Sequence, residues 1–296
     1  MTQLQISLCP ACNSKKINPH KNDPKYAVGL AECSSCKTQF IEIQPSDQRL
    51  SEIYGPNYYQ SWAVESPEMV INIKNETYTR IVKPANIGAG KKLLEVGCAQ
   101  GHGIRVVRPL GCEYFGVDLN VDAIEFAKSQ YLDGNFINGV LRKEIFGNTK
   151  FDFVLMIDFI EHVRNPNQEI ALVAAMLNDN GKLILSTPRS KSLIHRITGR
   201  YWPQYREEHL TYFSKTGIVK ILERNGFLVE AVKPTFKVMS PNYFYGQSTQ
   251  YSPSLVKGLA YIMKLTGNLL HIRKVLLPFG EMTVIATLVG AAKKNE

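Results

Sequence analysis

"KKLLEVGCAQGHG", residues 91–103, ends an apolar run on a carboxylate, Glu95, and passes at once into a glycine-studded turn. Turns of this kind usually cradle phosphates through bare backbone N–H groups, and a carboxylate beside them would repel a phosphate. The Gly-x-Gly-x-x-Gly pattern of dinucleotide folds is also incomplete, because Gly101-x-Gly103 is followed by Ile104, Arg105 and Val106. The ligand of this turn has to favour both the glycines and a negative charge.

Outward from that turn, apolar runs and helical patterns alternate. Strands are predicted at 92–96, 113–117, 135–138, 151–157, 181–187, 227–233 and 281–289, with helices near 102–109, 121–130, 167–177 and 215–225. Another helix starts at Ser66, a capping residue followed by Pro67, and Ser214 and Gly226 frame the 215–225 helix. This alternation predicts an α/β fold: a doubly wound, mostly parallel seven-stranded sheet wrapped by helices. Such sheets bind ligands at the carboxyl ends of their strands, where Glu95, Asp118 and Asp158 all fall. Asp118, in "YFGVDLN", is placed to accept from both hydroxyls of a ribose. A nucleoside with a cationic tail, S-adenosylmethionine, suits both acids.

Near the start, "CPAC" (Cys9, Cys12) and "CSSC" (Cys33, Cys36) are separated by 20 residues. Two Cys-x-x-Cys knuckles at that separation predict a structural Zn2+ site, closed by four thiolates and without an open position for catalysis. Two disulfides or four free thiols are the alternatives, and His20 is a rival ligand. "TQFIEIQP" reads as a strand closing a ribbon-like module. The expected organisation is a zinc-ribbon-like module at 1–48, a linker and helical cap at 49–90, and a cofactor-binding domain at 91–296 with an acceptor lid at 188–213.

With 44% hydrophobic and 21% charged residues, the 296-residue chain has the composition of an ordinary globular protein. The first residues show no basic region followed by an apolar core, so a cytoplasmic location is expected. The net charge of +9 is uneven: +2 over 1–50, −4 over 51–181, +7 over 182–237 and +4 over 238–296.

At this point the chain resembles the class I S-adenosylmethionine-dependent methyltransferases over roughly residues 66–237 plus the final strand. "LLEVGCAQGHG" matches the first motif with Glu95, Gly97, Gly101 and Gly103 aligned, and Ala99 stands where the family usually has glycine. "GVDLN" matches the second. The resemblance implies that Asp118 holds the ribose and that Leu119 packs on adenine. It also implies that Asn138, Gly139 and Val140 of "NGVLRK" line the adenine side. Asp158 and Phe159, in "FDFVLMIDFIEHV", would lie beside the methionine moiety. A bacterial-type subgroup is similar in joining a zinc ribbon to this fold, with "EEHLTYFS" and "ERNGFLVE" after the fifth strand, and several of its relatives methylate sugars, nucleotide sugars or other metabolites.

Methyl transfer is an in-line displacement that mainly needs the nucleophile held about 3 Å from the methyl carbon. An alcohol or amine acceptor also loses a proton, for which His162 and His209 are the candidate bases, ahead of Glu161, Glu208 and Tyr212. Structural roles compete: His162 as a helix-cap residue, His209 as a tie between lid and core. Arg189, Lys191, Arg196, Arg200 and Arg206 precede any acid in the 188–210 stretch, which points to a phosphate-bearing small-molecule acceptor; a solvated basic helix is the alternative. The stretch 251–279 has apolar residues at helical spacing with interspersed cations, and so reads either as a membrane-surface contact or as a helix packed on its own core. An RNA acceptor is the rival class, disfavoured by the weak charge of residues 1–50 and their lack of stacking aromatics. A non-catalytic, zinc-dependent interaction protein on the same scaffold is another. Cys98 and Cys112 read as packing residues.

Overall fold

Polar side chains set where the helices begin. Ser66, Asn120, Asn165, Ser192 and Ser214 each accept from the amide three residues on, at 2.8–3.3 Å, which satisfies a donor that has no partner inside the helix. The computed structural model describes residues 4–19, 30–55, 65–251 and 254–289, so His20 and the loop joining the cysteine pairs lie outside the described residues. The N-terminal part contributes β1 (Leu4–Gln5), β2 (Ile17–Pro19), β3 (Leu30–Cys33), β4 (Gln39–Ile41), β5 (Ile43–Gln44) and α1 (Asp47–Ile53). Next come α2 (Pro67–Val82), β6 (Lys92–Val96), α3 (Ile104–Val107), β7 (Glu113–Asp118), α4 (Val121–Gln130) and β8 (Asn135–Asn138). Then follow β9 (Phe151–Ile157), α5 (Pro166–Met176), β10 (Leu177–Pro188), α6 (Leu193–Thr198) and β11 (Thr211–Tyr212). The chain continues through α7 (Lys215–Arg224), β12 (Phe227–Met239), α8 (Pro241–Tyr251), α9 (Ser254–Leu269) and β13 (Val275–Leu288).

Seven strands form the main sheet in the order β12-β13-β10-β9-β6-β7-β8. The run from β10 to β8 is parallel, and β13 is antiparallel to both its neighbours. This is the expected doubly wound, mostly parallel sheet. Its central strands are apolar on both faces, as burial under two helical layers requires. Leu94, Val96, Val154 and Met156 enter one apolar cluster, while Leu93, Phe153, Leu155 and Ile157 enter the other. Strand order reverses between β6 and β9, so a crevice opens at the carboxyl ends of those two strands.

The element ends depart from expectation for identifiable reasons. α3 stops at Val107 because Pro109 has no N–H to continue it; a tight 3-10 turn over Arg108–Leu110 follows. β12 and β13 run on beyond the sheet as a two-stranded arm, with Lys237 opposite Leu277 and Met239 opposite Val275. The helical stripe expected over 251–279 therefore ends at Leu269, and α8 precedes it.

The cysteine-rich segment is tied to the α/β unit. β2, β3 and β4 form a ribbon that continues into β11, giving the order β11-β4-β3-β2. "TQFIEIQP" divides into β4 and β5, and β5 pairs with β1. Ser214 donates through its hydroxyl to the Cys36 carbonyl, and its amide donates to Thr38 Oγ1 at 3.3 Å. Apolar packing is continuous across the join: Cys9, Ala31 and Phe40 share a cluster with Phe213, Ile218 and Leu222.

Candidate active site

β6 delivers Glu95 to the floor of the crevice, fully buried. One carboxylate oxygen accepts from Tyr78 Oη at 2.6 Å and the other accepts from Tyr114 Oη. Burial pushes its carboxyl up to about 7, against the opposing hydrogen bonds of the two tyrosines and the charge of Lys74. In the structure both Glu95 oxygens are engaged beneath the turn by Tyr78 and Tyr114. Gly103 is glycine for the same reason: a Cβ there would overlap the Glu95 carboxylate. Gly97 has φ +74, and a Cβ on it would stand 2.5 Å from the ring of Phe159. Gly101 is also left-handed, at φ +73.

Ala99 takes φ +45, so an L-residue occupies the left-handed region where only glycine is free of penalty. Its amide donates to Asp118 Oδ2 at 2.8 Å, while Asn120 N donates to Asp118 Oδ1 at 2.9 Å. Asp118 thus ties the first turn to the start of α4, and each oxygen keeps a lone pair for a hydroxyl. Burial raises its carboxyl despite those amides. Asn138 Nδ2 donates to the carbonyls of Asp118 and Leu119, and Gly139 N donates to Asp118 O at 2.9 Å. Leu119 and Val140 are held nearby with 71% and 60% of their surfaces exposed. Two fixed, exposed apolar side chains flanking a carboxylate at a strand end fit the adenine and ribose of an adenosyl group.

Asp158 stands at the end of β9 with φ +51. It accepts from Ser186 Oγ at 3.2 Å and from Lys237 Nζ at 2.9 Å. Burial would raise its carboxyl, but Lys237, together with the charges of Lys74 and His162, holds it below the usual range. Lys237 also contacts Glu281 Oε1 at 2.8 Å, and Gln204 Nε2 donates to the same acid at 2.6 Å. Burial pushes Glu281 up to about 7, partly countered by Lys237.

The two candidate bases, treated as alternatives in the sequence, lie in contact: the rings of His162 and His209 meet edge to face, 4.7 Å between centroids. His162 is half-buried; its Nδ1 is 2.8 Å from Tyr54 Oη and 3.1 Å from the Glu208 carbonyl. His209 is buried behind it, and its Nδ1 donates to the Gln204 carbonyl at 2.8 Å, which leaves Nε2 as the basic nitrogen. Burial lowers both, His162 to about 4 and His209 well below its ordinary value. Glu161 is buried beside them: Oε2 accepts from Thr187 Oγ1 at 3.0 Å, and Oε1 has no hydrogen-bond partner among the described residues. Glu161, His162 and His209 present ligand atoms within 4.8 Å of one another, a donor set able to hold a divalent cation.

The segment expected as a lid packs its aromatic side chains inward in this structure. Trp202, Tyr205, Leu210 and Tyr212 are buried, and Trp202 Nε1 donates to the Phe279 carbonyl at 2.8 Å. Its cations are partly committed. Lys191 pairs with Glu32 at 2.6 Å, Arg206 with Glu208 at 3.7 Å, and Arg200 lies over the Tyr201 ring.

Cys9, Cys12, Cys33 and Cys36 come together with all four sulfurs within 4.8 Å, and the pairs Cys9–Cys36 and Cys12–Cys33 stand at 3.5 and 3.6 Å. Those separations are far beyond a disulfide bond. Thiolates at about 2.3 Å from a tetrahedral zinc would stand about 3.8 Å apart, so the set fits the ion.

Tyr78, Tyr114, Lys237, Glu281 and Gln204 escaped the sequence reading. Each reaches the site from a different part of the chain, Tyr78 from α2, Tyr114 from β7, Lys237 from β12, Glu281 from β13 and Gln204 from the segment before β11, and no local motif marks them.

A methyltransferase-domain family model matches residues 70–232. The mitochondrial ubiquinone biosynthesis O-methyltransferase of Schizosaccharomyces pombe is 29% identical over 147 residues, covering 46% of this chain and 53% of that protein. The match thus spans about half of that relative's length. The ubiquinone biosynthesis O-methyltransferase of Photobacterium profundum is 25% identical over 175 residues, covering 54% of this chain and 74% of that protein. Among solved structures, YcgJ of Bacillus subtilis superposes with a TM-score of 0.51 at 13% identity, covering 72% of this chain and 97% of that one. The [4+2]-cyclase SpnF gives 0.53 at 13% identity, covering 82% and 96%. At such identities the structural likeness concerns the fold alone.

Proposed function

This chain belongs to the methyltransferase-domain family, and on that premise we propose that it moves the methyl group of S-adenosylmethionine to a hydroxyl of a small-molecule acceptor. The observation that carries the reading is the placement of His162, half-buried in the same crevice four residues after Asp158, with its Nδ1 tied by Tyr54 and Glu208. The names of the O-methyltransferase relatives support oxygen as the acceptor atom.

When bound, S-adenosylmethionine supplies an electrophilic methyl on a sulfonium. The protein does the rest by position and field. Asp118 accepts from the ribose hydroxyls, while Leu119, Val140 and the 138–140 turn enclose the base. Glu95 sets a negative potential under the turn, and Asp158, held by Lys237, faces the amino-acid end. His162 takes the acceptor proton through Nε2 when Nδ1 donates to the Glu208 carbonyl, and His209 packs behind it. A neutral imidazole of lowered basicity is available at all neutral pH values, at some loss of driving force.

A sugar or nucleotide-sugar acceptor suits this polar floor, with the cations of the 188–210 stretch as candidate partners for a phosphate. Zn2+ in the four-cysteine site would brace the wall that the acceptor meets. The test is incubation with methyl-labelled S-adenosylmethionine and fractionated extract, followed by His162→Gln. Label in small polar metabolites, with turnover reduced about a hundredfold or more in His162→Gln and cofactor affinity unchanged, supports the reading. Label in RNA or protein overturns the acceptor class, and unchanged turnover overturns the role of His162.

A further inference from the structure

α9 exposes an apolar face. Leu259, Ile262, Leu265 and Leu269 recur every three or four residues, so they lie along one side of the helix, and they are 59%, 57%, 49% and 78% exposed. The opposite side is the one that packs, with Ala260 and Gly267 buried, while Tyr261, 48% exposed at the margin of the face, meets Tyr245 of α8 with ring centroids 5.7 Å apart. At its C-terminal end the face continues into exposed Leu270 and Ile272. A helix packed on its own core hides its apolar stripe; this one turns it outward.

Charge decides the occupant. No acidic residue occurs between Met239 and Gly280, whereas Lys257, Lys264, Arg273 and Lys274 all do. Lys264 lies over the Tyr245 ring and Lys274 pairs with Glu76, so neither faces an acid of its own segment. A second copy of this chain would set cations against cations across the face. An anionic bilayer presents the complementary surface: phosphates for the lysines and arginine, acyl chains for the leucines. Among the described residues, no helix is long and apolar enough to cross a membrane, so the geometry is that of a helix lying in the interface.

We infer that the exposed face of α9 is a docking surface for anionic membranes, with Ile262, Leu265 and Leu269 inserted and Lys257 and Arg273 at headgroup level. The test is co-sedimentation of the full-length protein with vesicles of phosphatidylglycerol and phosphatidylcholine, compared with phosphatidylcholine alone. The expected result is binding to the anionic vesicles, released by 500 mM salt (about a fivefold shorter screening length than at 20 mM). Ile262→Glu with Leu269→Glu should lower the bound fraction at least tenfold while leaving thermal stability and S-adenosylmethionine binding unchanged. Lys257→Glu with Arg273→Glu, which leaves the apolar face intact, should also lose anionic binding. Wild-type protein that stays in the supernatant at low salt overturns the inference, as does a leucine-face double variant that binds like wild type. A wild-type dimer that the same double substitution dissociates would assign the face to a second copy and overturn it too.

Discussion

Lys237 Nζ lies 2.9 Å from Asp158 Oδ2 and 2.8 Å from Glu281 Oε1, so one cation from the sheet's edge strand holds two acids at the carboxyl end of its centre. Lys237→Met leaves both acids without that partner, and removing one member of a buried pair typically costs about 3–5 kcal/mol; the partial exposure of Lys237 and Asp158 places this one at about 2–3 kcal/mol. The loss depends on pH. Glu281 has a folded value near 7 against 4.5 for the free group, so it binds its proton more tightly when folded. Its neutral form therefore contributes stability that is complete below pH 4.5 and lost as pH rises through 7. Without Lys237 that loss deepens and extends higher. Because Asp158 is held below its ordinary value by Lys237, part of the difference between variant and wild type should already be present at pH 5, and urea melts should show it growing by pH 8 as Glu281 ionises. Equal differences at both values would contradict the linkage.

Glu95 makes a prediction about protons. Its value near 7 means that much of it is neutral at pH 6.5 in the absence of a cation. A cationic cofactor favours the charged form, so binding should release a proton. Affinity should rise with pH up to about tenfold per unit below 7 and level off above it. Calorimetric titrations in buffers of different ionisation enthalpy measure the release, and Glu95→Gln should abolish both it and the pH slope.

Ala99 occupies the left-handed region, with φ +45. Ala99→Gly relieves a penalty of about 1 kcal/mol, which for a chain of this size raises Tm by about 2 °C. A scanning calorimetry trace with Tm unchanged or lowered would show that the Asp118–Ala99 hydrogen bond depends on the methyl-bearing residue.

Metal removal should separate cofactor binding from turnover. The ribbon pairs with β11 and receives Ser214, whereas the residues around Asp118 belong to strands at the far side of the sheet. Chelated protein, or Cys9→Ser with Cys36→Ser, should become protease-sensitive between residues 189 and 214 and lose methyl transfer. Its S-adenosylmethionine Kd should stay within about threefold of the intact protein's. Equal loss of both would mean that the ribbon supports the whole domain.

What could be read from the chain follows the range of the interactions. β6, β8 and β9 begin and end on the predicted residues because apolar runs bounded by turns are local signals. Asp118 and Asp158 were legible because strand ends face the crevice in any doubly wound sheet. The attachment of the ribbon was not, since Thr211 pairs with Phe40 across some 170 residues of sequence. Nor was the tyrosine pair on Glu95: Tyr78 comes from a helix and Tyr114 from a neighbouring strand. α8 escaped because "PNYFYGQSTQY" carries no 3.6-residue apolar period, and the β12–β13 arm escaped because its outer residues are exposed.

The central claim is that Asp118 and the acid under the glycine turn select an adenosyl group with a cationic tail. Calorimetric titration of the intact protein with S-adenosylmethionine and, separately, NADH tests it most directly. Saturable binding of the first, weakened at least tenfold by Asp118→Ala, and none of the second is expected. Binding of NADH with exclusion of S-adenosylmethionine would contradict it.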